Sequence, residues 1–299
     1  RMRADNYLLI DSKENARSEA YGKAYVNFLG LVDGPLDALR MRGKLDVLGS
    51  SNVTYILRDS PLSTESQLDG LVKFVNFRKP ETATVVKPPI NGLNMDLTVN
   101  VDDGAHVLCA LNPDKSNYVD LIGGGNLRML YTAIDGLSLY GRYTIAEGEM
   151  KYSLPVIPLK TFTIKNGSYA EFSGDPMNPR LNITATEENK TTVATDGGSG
   201  RSVMFECGVE ITKTLQDMGL QFIIDAPDDQ QMHNELMTQS VENRGKLAVT
   251  MLTTGMYLSD NNLGSLSVNS ALSSFLSSQI NSISGSALRT LDLSFGMDN

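Results

Sequence analysis

His106 and His233 are the side chains best suited to proton transfer or metal binding, and their surroundings favour neither role. His106 lies on the opposite phase from Val107 in an alternating run, so a solvated strand position is expected. His233 stands two residues from Glu235 in a polar, loop-like stretch. That pair could supply two metal ligands, but no third is spaced nearby. Cys109 and Cys207 are too far apart in sequence for a metal motif or a disulfide framework. Both fall in strand-like runs at apolar positions and read as small core hydrophobes. Gly123-Gly124-Gly125 has the look of a phosphate loop, but no Lys-Ser/Thr follows and no helix opens there. A bulge or bend in a strand is the expected use. The carboxylate pairs Asp102-Asp103 and Asp228-Asp229 are explained by turns, with weak calcium binding as the alternative. There is no Gly-x-Ser-x-Gly elbow. No catalytic residue, metal ligand or cofactor site is predicted, and the chain does not read as an enzyme.

The dominant pattern is period two. Leu93, Met95, Leu97, Val99 and Val101 alternate with Asn94, Asp96, Thr98 and Asn100, giving a strand with one apolar and one wet face. Ala105, Val107, Cys109 and Leu111 continue after Asp102-Asp103-Gly104, which reads as a hairpin turn. Shorter runs follow the same rule at Val53–Leu57, 71–77, Leu137–Ile145, Phe162–Ile164, Ala170–Phe172, Leu181–Ala185, Val203–Ile211 and Leu220–Ile224. Asp33-Gly34-Pro35, Asp69-Gly70, Asp135-Gly136, Asn166-Gly167 and Asp175-Pro176 separate them. Strands so spaced, without helices between them, predict meandering antiparallel structure. Two stretches break the pattern. Residues 238–257 are expected to be helical, with Leu247, Met251 and Leu252 on one side. Residues 268–284 carry Leu272, Phe275, Leu276 and Ile280 at helical spacing. Loops are expected over 187–201, as a mobile segment, and over 79–91. Leu291, Leu293 and Phe295 resume alternation.

The 299 residues suffice for a sizeable core, and the formal net charge of -9 sets nucleic-acid binding aside. An acidic chain also meets anionic lipid through apolar surface and not through a basic stripe. No run approaches the ~18 apolar residues of a membrane-spanning helix. The chain opens mid-pattern at Arg1-Met2-Arg3, so it is expected to be part of a longer protein whose anchor or export signal lies upstream.

Residues 139–188 carry a family resemblance. Its centre is Gly167-Ser168, then Phe172, Gly174-Asp175-Pro176, Asn178-Pro179 and Leu181-Asn182-Ile183-Thr184-Ala185. Gly49-Ser50-Ser51-Asn52-Val53-Thr54-Tyr55 with Arg58-Asp59-Ser60-Pro61-Leu62 supplies an upstream half, and Leu247 to Gly255 a helix ending in Leu-x-x-Gly. In this order the motifs resemble the TamB C-terminal domain, the translocation and assembly module family, in the style of a Bacteroidota member. The resemblance implies one domain over residues 1–299. It also implies a mainly β fold, with an elongated, curved antiparallel sheet forming a taco-like trough with an apolar interior, plus one or two short C-terminal helices. The residues agree independently: many short strands, few aromatics, no Trp and few helices to cover the sheet.

The family implies a periplasmic protein, anchored in the inner membrane in its full-length form. It would shield phospholipid acyl chains in transit between the inner and outer membranes. The alternative is a scaffold for outer-membrane barrel assembly, working with a barrel partner of the TamA or BamA type. The departures at both ends, with no anchor before Arg1 and no terminal strands after Asn299, put direct binding of that partner by this segment in question. Candidate lining residues are Leu93, Met95, Leu97, Val99, Val101, Phe162, Ile164, Phe172, Leu181, Ile183, Val203, Phe205, Val209 and Ile211. Leu272, Phe275, Leu276 and Ile280 would form a helical plug. A β-sandwich adhesin or sugar-binding domain gives similar alternation. The absence of Trp weighs against it, since sugar sites favour exposed aromatic rings.

Overall fold

The computed structural model describes residues 1–15, 18, 20–35, 37–56, 92–152, 160–193 and 200–257. Within them the alternating runs become strands β1 (Met2–Ser12), β2 (Ala20–Asp33), β3 (Leu39–Val47), β4 (Asn52–Ile56), β5 (Leu93–Val101), β6 (His106–Ala110) and β7 (Tyr118–Thr132). They continue as β8 (Gly136–Tyr152), β9 (Lys160–Ile164), β10 (Tyr169–Gly174), β11 (Arg180–Val193), β12 (Arg201–Thr214) and β13 (Met218–Asp225). Helices α1 (Gln230–Thr238) and α2 (Val241–Thr254) follow. The 13 strands belong to one mixed sheet, so the mainly β class with short helices towards the C-terminal side is what folds. The expected strand at 71–77, the helix at 268–284 and the alternation at 291–295 lie outside the described residues.

The sheet is not a pure antiparallel meander. β3 runs parallel to β5, and β4 runs parallel to β6. Parallel neighbours need a long connection, and residues 57–92 supply it. Alternation reports which face a side chain takes and is blind to strand direction, so this step was invisible to it. The predicted hairpins at Asp33-Gly34-Pro35, Asp135-Gly136 and Asp175-Pro176 do form, joining β2 to β3, β7 to β8 and β10 to β11. At the second, Gly136 takes φ +70°, a left-handed conformation that glycine adopts without strain.

Two compact units divide the chain. The first holds the described residues of Arg1–Ser153, Thr161–Ile183 and Thr214–Gln216, and the second those of Leu154–Lys160, Thr184–Lys213 and Asp217–Asn299. The first unit contains a correction to the sequence reading. Asp102-Asp103-Gly104 is not a hairpin turn. β5 pairs with Gly125–Tyr131 of β7, and β6 pairs with Tyr118–Ile122 of the same strand. The two are successive pieces of one interrupted strand. β3 and β4 are likewise two pieces laid along β2. β9 and β10 both border β8, so Asn166-Gly167 is a jog as well.

These interruptions align across the first unit as a crease. The β3/β4 jog stacks on the β5/β6 jog: Asp102 N–H donates to Val47 O at 2.9 Å, and His106 N–H donates to Ser51 O at 3.0 Å. In β7 and β8 the register slips between Ile122 and Gly123, leaving Ala146 as the extra residue. Asn166 Nδ2 caps that bulge by donating to Ala146 O at 3.0 Å. In β1 the register slips between Leu8 and Ile10, opposite Tyr25 and Ala24 of β2. Bulges bend a strand and increase its twist, so a row of them bends the sheet along a line. The expected bulge at Gly123-Gly124-Gly125 is part of this line. A Cβ on Gly124 would stand 2.4 Å from Val101 O, a separation that glycine alone permits.

In the second unit the sheet is closed by helix. Cys207, Val209 and Ile211 of β12 pair with Ile224, Phe222 and Leu220 of β13. Leu247, Ala248, Met251 and Leu252 of α2 are at most 1% exposed. Ser240 caps the helix by accepting from Asn243 N–H at 3.2 Å, and Gly255 ends it at φ +73°. The 238–257 helix is therefore present over Val241–Thr254. α1 replaces the polar loop expected around His233; Asp229 caps it, accepting from Met232 N–H at 2.9 Å. Of the loop expected over 187–201, residues 187–193 belong to β11 and Arg201 to β12, and 194–199 lie outside the described residues.

An apolar sheet face as the candidate functional site

Successive side chains of a strand point to opposite faces, and cross-strand partners share a face. Following the registers of the first unit from strand to strand therefore assembles two surfaces. One runs through Val26–Val47 and Phe28–Leu45 on β2 and β3, then Met41–Met95 and Leu45–Val99 on β3 and β5. It continues through Leu97–Met129 and Val99–Leu127 to β7, and through Met129–Leu139 and Gly125–Tyr143 to β8. It ends at Gly141–Phe172, Tyr143–Ala170 and Ala170–Leu181 on β8, β10 and β11. Beyond the crease it carries Val53–Val107, Tyr55–Cys109, Val107–Leu121 and Val119–Met150. Every position in the pairs just named is apolar, aromatic, cysteine or glycine.

The opposite surface takes the charge. Arg128 donates to both carboxylate oxygens of Asp96 at 2.9 Å, and Arg142 pairs with Glu171 at 3.0 Å. Lys44 pairs with Asp46 at 2.9 Å, and the Arg142 guanidinium sits 4.0 Å from the Tyr169 ring centre. Hydrogen bonding to Arg128 holds the Asp96 carboxyl below the usual carboxylate range, and Lys44 does the same for Asp46. An unpaired charge on the apolar surface would have no such partner and would lose hydration, so segregation of charge follows from solvation.

Of the expected lining residues, Leu93, Met95, Leu97, Val99, Val101, Phe172 and Leu181 share this surface, and Ile183 joins it by alternation with Leu181. Leu97 and Val99 are 4% and 7% exposed, while Leu93, Met95, Leu127, Met129, Leu139 and Phe172 stay half-buried. Phe162 and Ile164 are fully buried; Ile164 Cδ1 and Leu121 Cδ2 close over Gly148, so these two are packed core. Val203, Phe205, Val209 and Ile211 are at most 7% exposed in the second unit. There the Cys207 Sγ lies 3.1 Å from Met251 Sδ of α2, and the Phe205 ring stacks on Tyr257 at 4.9 Å. That stripe is filled by the protein's own helix. Leu272, Phe275, Leu276 and Ile280 lie outside the described residues.

The sequence reading passed over β2 and β3, which contribute Val26, Phe28, Met41 and Leu45. Gly30 and Gly43 dilute their apolar phase, and Leu29 and Leu31, 45% and 50% exposed, sit on the polar one. Cross-strand pairing, and not alternation within one strand, is the signal that finds them.

The polar candidates resolve into structural roles. His106 is partly exposed and contacts Asp120, and His233 Nδ1 lies 2.7 Å from Asp225 Oδ1. Among the described residues no three His, Cys, Asp or Glu side chains converge as a metal site. Cys109 and Cys207 are free thiols; Cys109 lines the apolar surface, and burial pushes its thiol up to about 11. No described helix is long and apolar enough to cross a membrane. Compared with known proteins, the chain matches the family model of the TamB C-terminal domain over residues 4–299. No curated protein matches it.

Proposed function

Because the chain belongs to the TamB C-terminal domain family, a family of envelope transport and assembly modules, we propose that its apolar sheet face shields lipid acyl chains. The protein would act in the periplasm, on phospholipid moving between the inner and outer membranes, with its full-length form anchored in the inner membrane. One observation carries the reading: among the described residues the first unit presents a continuous apolar surface, with Leu97 and Val99 buried and Leu93, Met95, Leu127, Met129, Leu139 and Phe172 half-buried, and both described helices belong to the other unit. Magnitudes explain the use. Each methylene removed from water is worth ~0.8 kcal/mol, so a tail of ~16 carbons costs on the order of 13 kcal/mol to expose. A surface that replaces water along the tail removes most of that barrier. The path β2-β3-β5-β7-β8-β10 makes five inter-strand steps, a width of about 24 Å at ~4.8 Å each. A bilayer core of ~30 Å is two tails deep, so a tail needs about 15 Å and fits across the face.

The test is native mass spectrometry of the 299-residue chain after exposure to diacyl phospholipid and removal of free lipid. Retained phospholipid is expected, with loss of retention in Met129→Glu, which puts a charge on the face. A lipid-free signal for the unaltered chain contradicts the proposal.

A second reading keeps support from one element. β1 pairs only with β2 among the described residues, and Tyr7 and Leu9 on it are 57% and 53% exposed. Such an edge can template a further strand, which suits a scaffold for outer-membrane barrel strands acting with a barrel partner of the TamA type. Crosslinks from β1 to a protein strand, with no lipid retained, favour this reading.

A further inference from the structure

Tyr143 puts a hydroxyl on the apolar face. Tyr143 stands on β8 between Gly125 of β7 and Ala170 of β10, with Gly141 two residues before it on the same strand. Its neighbours on the face are thus small, and its ring rises from a low floor. The hydroxyl is buried and has no hydrogen-bond partner. By contrast, Tyr55 on the same face reaches Met177 Sδ at 3.7 Å. Burial also pushes the Tyr143 phenol up to about 12, so at neutral pH it is a donor. A buried donor without an acceptor is a standing cost that a guest carrying an acceptor can remove.

We infer that the Tyr143 hydroxyl is a polar anchor for an acyl guest and donates its hydrogen bond to the guest's ester carbonyl. This rests on the proposal that the face holds acyl chains. The chemistry of the surroundings selects the ester. A carboxylate or phosphate would bring charge onto a surface with no basic side chain to meet it. An unpaired peptide strand would bring N–H donors along with its carbonyls, and this face offers them almost no acceptors. An ester brings acceptors alone, attached to hydrocarbon that the flanking Leu127, Leu139 and Phe172 can cover.

The experiment uses the whole chain and two probes of matched carbon number, methyl laurate and tridecane, each displacing a bound hydrophobic dye. The ester-to-alkane affinity ratio is expected to be about fivefold higher for the unaltered chain than for Tyr143→Phe, the scale of one neutral hydrogen bond. Alkane affinity is expected to be the same for both, and the ester's own desolvation cost cancels in the comparison. Carbonyl-labelled methyl laurate gives a direct readout: its infrared stretch should lie lower when bound to the unaltered chain than to the variant. An ester-to-alkane ratio unchanged by Tyr143→Phe overturns the anchor and leaves the apolar face standing. Displacement by neither probe overturns both.

Discussion

Leu97 and Thr98 are neighbours in sequence and belong to different surfaces, which makes them the sharpest residue-level comparison in the molecule. Leu97 is 4% exposed and faces Met129 and Gly43 across its two neighbouring strands. Aspartate there would forfeit the leucine's burial and leave a charge without a partner, a loss of about 4 kcal/mol. Thr98 pairs with Lys44 on β3 and Arg128 on β7, so aspartate there meets two cations and should change stability by about 0.5 kcal/mol or less. Urea unfolding at constant slope measures both, and equal losses would contradict the two-surface description. At this scale the sequence was informative. The alternation of β5 placed its five apolar residues on one surface before any coordinates. The glycine triplet read as a bulge or bend and starts at the register slip opposite Ala146, and the Asp229 carboxylate assigned to a turn proves to cap a helix. The helix itself was not legible, because α1 is short and presents only Met232 and Leu236 to the interior.

At the scale of elements, the informative feature is a turn that does not reverse the chain. Asp102-Asp103-Gly104 and Asn166-Gly167 have the composition of hairpin turns, yet each joins two pieces of strand that run along one neighbour. Asx and glycine residues suit any place where the backbone leaves the extended region, and composition does not say whether the chain then reverses. The distinction needs the partner strand. Aligned with the bulges in β7 and β8, these jogs form the crease, and the motifs at Gly49–Tyr55 and Gly167–Ser168 that carry the family resemblance lie on it. Gly124 tests the point. Valine there must displace the Val101 carbonyl, so Gly124→Val should cost about 3 kcal/mol, whereas Gly136→Ala, strained only by its positive φ, should cost about 1 kcal/mol. Chemical denaturation ranks the two. The reverse order would show the crease to be slack where it is described as tight. The parallel pairing of β3 with β5 was illegible for a different reason, since it depends on the long connection over residues 57–92.

For the molecule as a whole, alternation predicted one greasy lining, and the structure divides it. In the second unit the apolar stripe of β12 is covered by α2 and has become core. In the first unit the equivalent surface runs across strand after strand with some side chains buried and others half-buried, while the ion pairs sit on the reverse side. What packs above the sheet decides whether an alternating stripe becomes core, and no periodicity within a strand encodes that. The function proposed here belongs to the first unit's surface alone. Its most direct test is a photo-reactive residue placed in turn at Asn126, Leu127, Arg128, Met129, Leu130 and Tyr131 of β7, with labelled diacyl phospholipid as the target. The account predicts capture at 127, 129 and 131 and none at 126, 128 and 130. Leu130 is the decisive control, being apolar but on the charged surface opposite Asp96 and Ser138. Capture at Leu130 equal to that at Met129 would contradict the account.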